Sequence, residues 1–498
     1  MTIKNLTTRA CLLPIAVLIS GCTPAQVSET DQKLIASPVE NRNSHAESLQ
    51  VREGASEKTH PASKKKAPQP IDLANALAMG GANNLEIELA RKRVIKAHID
   101  YADARANWLP SLRFGVGYNK HNGQIQSTPG PLIDANRNSL FVGVGAGLGD
   151  ASLAGGSGGP SRLVMNMSLA DAFFKPIIAR RGVESNSAAE RVTMNDSLLQ
   201  ISLSYFDLVE AYSLLANARV GRLSSQKMLT TSTAFERQGL ESPAEIQRAK
   251  TDLAVWKQKV MDAERKTGVA SAELTRLLRL DPTTRLYPAD ERMVPVMVVK
   301  SNLSLDELIK QGLANRPELT EQDARIAASQ HQLSREKYDL LLPHVQAGMS
   351  TGNFGGGVSS QYNNSSSRND LDLLAVWELK NLGQSQKNAK KRRTIELEQA
   401  KIKSKWLADK IASEIVIAHN DIESYRDQVE VARKSVKSAS ESYQSNVLRI
   451  QQDKGQPLEL LQAIHAQSEA LDLYTKAIAN YNRAQFKMLH ALGSQPCL

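Results

Sequence analysis

Residues 107–119 read NWLPSLRFGVGYN, and the pattern changes at Pro110. Before it the chain is polar and helix-like. After it Leu112, Phe114, Val116 and Tyr118 alternate with Arg113, Gly115, Gly117 and Asn119, the period-2 pattern of a strand with one apolar face. Residues 341–351, LLPHVQAGMST, repeat the change: after Pro343, Val345, Ala347, Met349 and Thr351 alternate with His344, Gln346, Gly348 and Ser350. A third such run precedes a long helical stretch, with Leu371, Leu373, Ala375, Trp377 and Leu379 on one side.

The recurrence extends well beyond these strands. The segment from Leu73 lines up with that from Leu305, so that Asn83 falls on Asn315 and Pro110 on Pro343. Further on, Pro243 matches Pro457, Glu245 matches Glu459, Ala249 matches Ala463 and Leu278 matches Leu492, all at a single smaller offset. The first half therefore carries extra residues between its proline and its long helices, in the glycine-rich run GVGAGLGDASLAGGSGGP. Each half reads as helix, strand, loop, strand, very long helix, turn, long helix.

Between Gly383 and Gly455 there is neither proline nor glycine. Within it Ile415, Ala418, Ile422, Tyr425, Val429, Ala432, Val436, Ala439 and Tyr443 follow spacings of three and four, a coiled-coil seam. The return helix keeps that spacing through Leu471, Tyr474, Ile478, Tyr481, Gln485, Met488 and Leu492, and the first half shows it at Ile201, Tyr205, Leu208, Tyr212 and Leu215. At ~1.5 Å per residue such a helix approaches 100 Å, more than a compact globule needs. The strands alternate over the ~9–11 residues that cross a bilayer in a barrel, and no other core is available to cover their apolar faces.

Helices flank each strand pair, so an even number of strands per half must cross. The first half offers three candidates, Leu112–Tyr118, Leu140–Leu148 and Leu163–Leu169. The middle one is expected to belong to an enlarged external loop, with TPGPLIDANRN and the glycine run as its turns. Four strands cannot close a barrel, because an open edge in lipid leaves backbone groups unpaired. Several copies must then share one.

The N-terminus carries an export signal. Lys4 and Arg9 precede a short apolar core, and Ile19-Ser20-Gly21-Cys22 resembles a bacterial lipobox, with Cys22 as the lipidated residue. Thr23 follows where an aspartate would argue against transfer to the outer membrane. Cys11 leaves with the signal and Cys497 stands alone, so the mature chain is expected to hold no disulfide. Residues 22–70 are too polar to repay ordering and read as a disordered tether, whose Lys64-Lys65-Lys66 run suits anionic head groups. The formal net charge of +10 is spread along polar helix faces and does not point to nucleic acid.

Together these residues resemble a TolC-type outer-membrane efflux protein. The resemblance covers roughly Ile71 to Gly493. It rests on the paired helix-to-strand breaks, on VWELKNLGQSQKNAKKRR, and on the two helix turns FERQGLESPAEIQRA and RIQQDKGQPLELLQAI. It implies an α+β membrane protein: a homotrimer sharing a 12-stranded β-barrel, four strands per protomer, continued by a long α-helical barrel. The expected divisions are a signal peptide (1–21), the tether (22–70), a first repeat (71–300, strands about 111–169), a second repeat (301–493, strands about 344–380) and a tail (494–498).

The family's function would make the chain a passive exit duct of a tripartite efflux or type I secretion system. It would meet a periplasmic adaptor and an inner-membrane pump at the helix turns, placing Gly239, Leu240 and Glu245 of the first turn, and Asp453, Gly455, Glu459 and Gln462 of the second, at the periplasmic entrance. Gln462 stands where a second acid is often found. Glu245 and Glu459 equally suit the first turn of a helix after a proline, where negative charge meets the dipole. Trp108 and Trp377 fall at membrane-edge junctions and suit an interfacial belt, whereas Trp256 and Trp406 are expected to pack between helices. Scattered histidines give no metal spacing, and the glycines of FGVGYN are strand positions, not a phosphate loop; no enzyme and no cofactor is expected. The other reading of the long helices is a non-conducting lipoprotein scaffold bridging the periplasm.

Overall fold

The computed structural model describes residues 67–148, 150–154, 162–238, 242–290, 293–299, 303–358, 365–452 and 454–495. The element order runs twice through one plan. The first pass is a short strand β1 (Gln69–Ile71), helices α1 (Leu73–Asn83) and α2 (Leu85–Ala106), strands β2 (Pro110–Gln126), β3 (Leu132–Leu148), β4 (Asp150–Ala154) and β5 (Arg162–Ser168), then α3 (Leu169–Arg237), α4 (Pro243–Leu277) and a short β6 (Leu286–Pro288). The second is α5 (Leu305–Asn315), α6 (Pro317–Tyr338), β7 (His344–Val358), β8 (Ser365–Val376), a 3₁₀ turn at Lys380–Gly383, α7 (Gln384–Gln451) and α8 (Pro457–Ala491). Corresponding helices match in length: α3 has 69 residues and α7 has 68, while α4 and α8 both have 35.

The long helices form because nothing in them breaks the pattern and each has a side to bury. α3 packs antiparallel on α4 and α7 on α8, α2 lies beside α3 and α6 beside α7, and α3 also meets α6 and α8 across the two halves. Ile415, Ala418, Val429 and Ala432 of the α7 seam are buried, as are Ile478, Tyr481, Gln485, Met488 and Leu492 at or just beyond α8. Each fully buried Leu or Ile contributes ~1.5–3 kcal/mol. Two clusters hold corresponding positions. Ile201 and Leu278 sit in one with Leu208 and Leu274, and Ile415 and Leu492 in the other with Leu308 and Ile411. The seam glutamine, Gln485, is the exception that the connecting chain explains: its Oε1 accepts from the backbone N–H groups of Val298 and Val299 at 3.2 and 3.0 Å. Trp256 is buried between helices as expected, but Trp406 is 60% exposed, because it lies on the side of α7 turned away from α6 and α8.

β1 starts inside the expected tether. Gln69 and Pro70 pair in parallel with Leu286 and Tyr287, and Ile71 is buried beneath them. One apolar residue and a free sheet edge are enough to order this end.

The sheet corrects the strand assignment. The middle candidate of the first half is not a loop: β3 pairs with β2 from Pro110↔Leu148 to Gln126↔Leu132, and its other edge pairs with β7 from Arg137 to Gly147. Only Ser127–Pro131 turns, closed by Ser127 N–H to the Pro131 carbonyl at 3.0 Å and Gly130 N–H to the Ser127 carbonyl at 2.8 Å. In this register Leu140, Val142 and Val144 lie directly opposite Tyr118, Val116 and Phe114, so the apolar residues of both strands share one face. The third candidate is the short one, touching β7 only at Met167↔Val345 and Ser168↔His344, end to end with β3. An unanticipated β4 pairs antiparallel with β5. The chain thus runs one way on β2 and β4 and back on β3 and β5. In the second half β7 pairs with β8 from His344↔Val376 to Gly355↔Ser365. β8 stops before the expected 380, where Asn381 and Leu382 take left-handed backbone conformations.

At the base of the sheet, Asp171 in the first turn of α3 is paired with Arg335 of α6 and, at 3.0 Å, with Lys175. Burial alone would raise the Asp171 carboxyl, but the Arg335 and Lys175 cations outweigh it and hold it below the ordinary aspartate range. A depressed folded-state pKa stabilises above the unfolded value and is lost as pH falls through the folded one. Thermal melting should therefore show Asp171→Asn destabilising at pH 6, with the gap to the parent chain closing as pH drops below about 4.

Candidate transmembrane sheet and periplasmic entrance

Directly paired residues share a face, so the registers define two surfaces. One carries Leu112, Phe114, Val116 and Tyr118 of β2, Leu140, Val142, Val144 and Ala146 of β3, Val345, Ala347 and Met349 of β7, and Leu371, Leu373 and Ala375 of β8. Phe114 is 89% exposed and Leu373 81%, so no described residue covers these members of the belt. Above it the same face turns polar, at Lys120, Asn122 and Gln124 on β2 and at Asn369 and Ser367 on β8. The boundary slopes: it lies beyond Tyr118 and Leu140 on the first hairpin, but at Leu371 on β8, whose row on β2 is Leu112. A belt that crosses the strands diagonally is level with a bilayer only if the strands tilt, as barrel strands do.

The opposite face is rich in glycine. One row of direct partners is Gly115, Gly143, Gly352 and Arg368, and the next is Gly117, Phe141, Phe354 and Ser366. At Gly352 a Cβ would lie 2.5 Å from the Val142 carbonyl oxygen and 2.6 Å from the Gly143 Cα, so β3 and β7 approach closer than side chains permit. Arg368 lies 5.6 Å over the Phe354 ring and makes two hydrogen bonds to Asp370, at 2.8 and 3.2 Å. Sequence patterning placed Gly115 and Gly117 on one face but gave no sign of that cluster, which depends on β7 and β8 register.

Both junction tryptophans are half-exposed, with their N–H groups turned inward. Pro176 has no N–H for the carbonyl of Ala172 one turn earlier in α3, and the Trp108 indole N–H donates to that carbonyl instead, at 2.9 Å. Trp377 Nε1 lies 3.4 Å from the Leu341 carbonyl. Each ring is thus fixed by its N–H within the protomer while about half of its surface stays exposed.

At the far end of the helices the entrance residues divide. Gly239, Leu240 and Asp453, like Cys22, lie outside the described residues. Glu245 and Glu459 occupy the first turns of α4 and α8, as their prolines predict. Each has an arginine: Arg248 donates to Glu245 at 2.6 Å from its own helix, and Arg449 reaches Glu459 at 2.8 Å across the α7–α8 turn. These four groups add no net charge. Gly455 lies against the end of α7, where a Cβ would sit 2.9 Å from the Ile450 nitrogen, and Gln462 is exposed. Sequence reading missed both arginines, since an i,i+3 spacing and a turn-crossing pair look like ordinary polar faces.

About two turns above the tips, α4 is tied to α8. Asp252 Oδ1 lies 2.6 Å from His465 Nε2, Ser225 donates to Asp252 Oδ2 at 2.5 Å, and the Trp256 and His465 rings stack at 5.3 Å. The carboxylate stands between serine and imidazole and so links α3, α4 and α8. Among the described residues no group of His, Cys, Asp and Glu could hold a metal ion, and no helix is long and apolar enough to cross a membrane.

No family profile matches the sequence, and no curated protein matches it. Solved structures do. A membrane protein from Pseudomonas aeruginosa superposes with a TM-score of 0.71 at 15% identity, covering 88% of this chain and 99% of that one. The CmeC outer membrane channel of Campylobacter jejuni gives 0.69 at 12% identity, over 90% and 94%. The MtrE outer membrane channel of Neisseria gonorrhoeae, in an open state, gives 0.66 at 15%, over 90% and 96%. The chain has the TolC-type outer-membrane channel fold, as its sequence resemblance implies.

Proposed function

We propose that the protein is an outer-membrane exit duct: a lipid-anchored homotrimer, with Cys22 as the modified residue, whose shared 12-stranded barrel opens into a helical conduit across the periplasm. The observation that carries this reading is the uncovered apolar belt at one end of two helices each ~100 Å long. A soluble scaffold needs the helices and has no use for the belt. The two corresponding passes of elements would be repeats of one unit, each giving two of the protomer's four long strands. The helix tips, with Gly239, Leu240, Glu245, Asp453, Gly455, Glu459 and Gln462, form the periplasmic entrance, where an adaptor and an inner-membrane pump engage and iris-like movement gates passage. Trp108 and Trp377 mark the periplasmic membrane edge. Substrate choice belongs to the pump.

Purified protein in a planar bilayer tests this. Discrete conductance steps are expected, larger on loosening the tips with Glu245→Gln and Glu459→Gln together. No current from either form, with the trimer present, would leave the scaffold reading standing. Arg449→Ala is expected to free the Glu459 carboxylate and shift the reversal potential in a salt gradient toward cation selectivity, while Arg248→Ala does the same through Glu245.

A further inference from the structure

Exposed apolar surface continues past the end of β8. Trp377 and Leu379 follow Ala375 on alternate residues and both are exposed, as is Leu341, whose carbonyl lies 3.4 Å from the Trp377 indole nitrogen. Next comes Leu382, 94% exposed, more than any other large apolar side chain among the described residues. Its backbone is strained. Asn381 (φ 50°, ψ 47°) and Leu382 (φ 54°, ψ 35°) are left-handed in succession, and Gly383 follows at φ 81°. Asparagine and glycine enter that region readily, whereas a leucine Cβ crowds the following carbonyl. The turn is nevertheless held: Asn381 Nδ2 donates to the Ser385 hydroxyl at 2.8 Å, and Gln386 Nε2 to the Glu378 carbonyl at 3.1 Å. Leu379 leans on Gly383, where a Cβ would sit 3.3 Å from its Cδ1, while Leu382 stays almost wholly uncovered.

The charge changes immediately after this tip. Residues 384–395, QSQKNAKKRRTI, hold five cations and no acid, and Lys387, Lys390, Lys391 and Arg392 are exposed on α7. At ~1.5 Å per residue these four lie about 8–15 Å along the helix from Leu382. A head-group layer is about 5–8 Å thick, so Lys387 reaches its phosphates directly and the others by extending toward them. We propose that residues 379–382 form a wedge seated in the periplasmic leaflet, with Leu382 among acyl chains and the α7 cations on the phosphates of anionic phospholipid. Two observations select lipid as the occupant. The apolar surface is continuous with the belt through Trp377, and the order from apolar to cationic is the order of a leaflet from hydrocarbon to phosphate. The strain fits the same partner: within the protomer an uncovered left-handed leucine gains nothing, whereas among acyl chains its side chain leaves water and offsets the cost. This rests on the duct reading, which sets the belt in lipid, and extends the lipid contact onto the start of α7.

Spin labels on single cysteines test the wedge, in the full-length chain carrying Cys497→Ser and reconstituted in vesicles of phosphatidylethanolamine and phosphatidylglycerol. At Leu382→Cys, collisions with oxygen, which concentrates in the hydrocarbon core, should exceed those with a water-soluble nickel chelate by about fivefold. Phe114→Cys in the belt should behave alike, and Lys391→Cys should show the reverse order. Nickel dominating at 382 would set the turn in water, and exclusion of both relaxants would bury it against another copy; either result overturns the wedge. Nickel dominating at Phe114→Cys as well defeats instead the belt in lipid, and with it the duct reading. For the phosphates, Lys387→Gln, Lys390→Gln, Lys391→Gln and Arg392→Gln together should cut the phosphatidylglycerol retained by detergent-extracted protein by about half or more, with phosphatidylethanolamine unchanged. Equal retention of phosphatidylglycerol overturns the head-group contact.

Discussion

Arg316→Ala should lower unfolding stability by about 3–5 kcal/mol, the loss seen when one partner of a buried ion pair is removed. Arg316 is 5% exposed at the junction of α5 and α6. Its guanidinium meets Glu318 and Glu414 at 2.9 Å each and donates to the His490 carbonyl at 3.0 Å, while His490 Nε2 lies 2.7 Å from Asp196 of α3. One side chain thus joins α6, α7 and α8, and His490 extends the link to α3. Alanine leaves Glu318 without its cation and Glu414 with Lys410 alone, at 3.7 Å. Urea unfolding followed by helical circular dichroism in detergent gives the number. Arg316→Ala combined with Glu318→Gln and Glu414→Gln should recover part of the loss, because the uncompensated charge goes with its cause. Lysine should rescue poorly, since its single ammonium cannot reproduce the planar fork. A loss below about 1 kcal/mol would mean that water reaches both carboxylates and that the network is ordinary surface pairing.

Gly352→Val should prevent barrel formation. Its Cβ would fall within 3.0 Å of the Val142 carbonyl oxygen, the Gly143 Cα and the Phe141 ring, and the first two are backbone that cannot turn aside. Overpacking of this kind costs about 1–3 kcal/mol per site, and in the proposed trimer it would recur in every protomer. The strands would have to separate at β3 and β7, the seam between the two halves of the chain. Yield of heat-modifiable trimer in the outer membrane is the readout, with helical content of the soluble fraction as a check that the helices still form. Gly115→Val is the comparison in the same row, since among the described residues of the protomer a Cβ there meets nothing within 4 Å. Equal yields from the two variants would show that the approach at Gly352 relaxes without consequence.

Much of this molecule is legible from one sequence because its two periodicities are strong and uninterrupted. The interval between Gly383 and Gly455, with its seam from Ile415 to Tyr443, reads as one helix approaching ~100 Å, and a helix of 68 residues is found. The break at Pro110 likewise announces β2. What failed to read correctly was the stretch after it. Residues 132–138, LIDANRN, contain turn-forming types and look like a loop, yet they extend β3 because β2 supplies a ladder for every backbone group. β4 has no periodic signal in five residues and exists by pairing with β5. At the entrance, proline and glutamate placed the first turns of α4 and α8. The arginines that neutralise those glutamates became visible only in three dimensions, one of them across a turn. Trp406 misled because an apolar residue on a long helix suggests packing, whereas which side of α7 is covered depends on where α6 and α8 run.

By itself the sequence determined the helices, the strand faces, the doubled order of elements and the junction tryptophans, because each follows from local period, proline placement or internal repetition. Tertiary structure decided which strands lie side by side, how far the apolar belt slopes, where glycine lets β3 meet β7, and which cations hold Glu245, Glu459 and Asp171. Those are set by register and by contacts between residues far apart in the chain, and no local pattern encodes them.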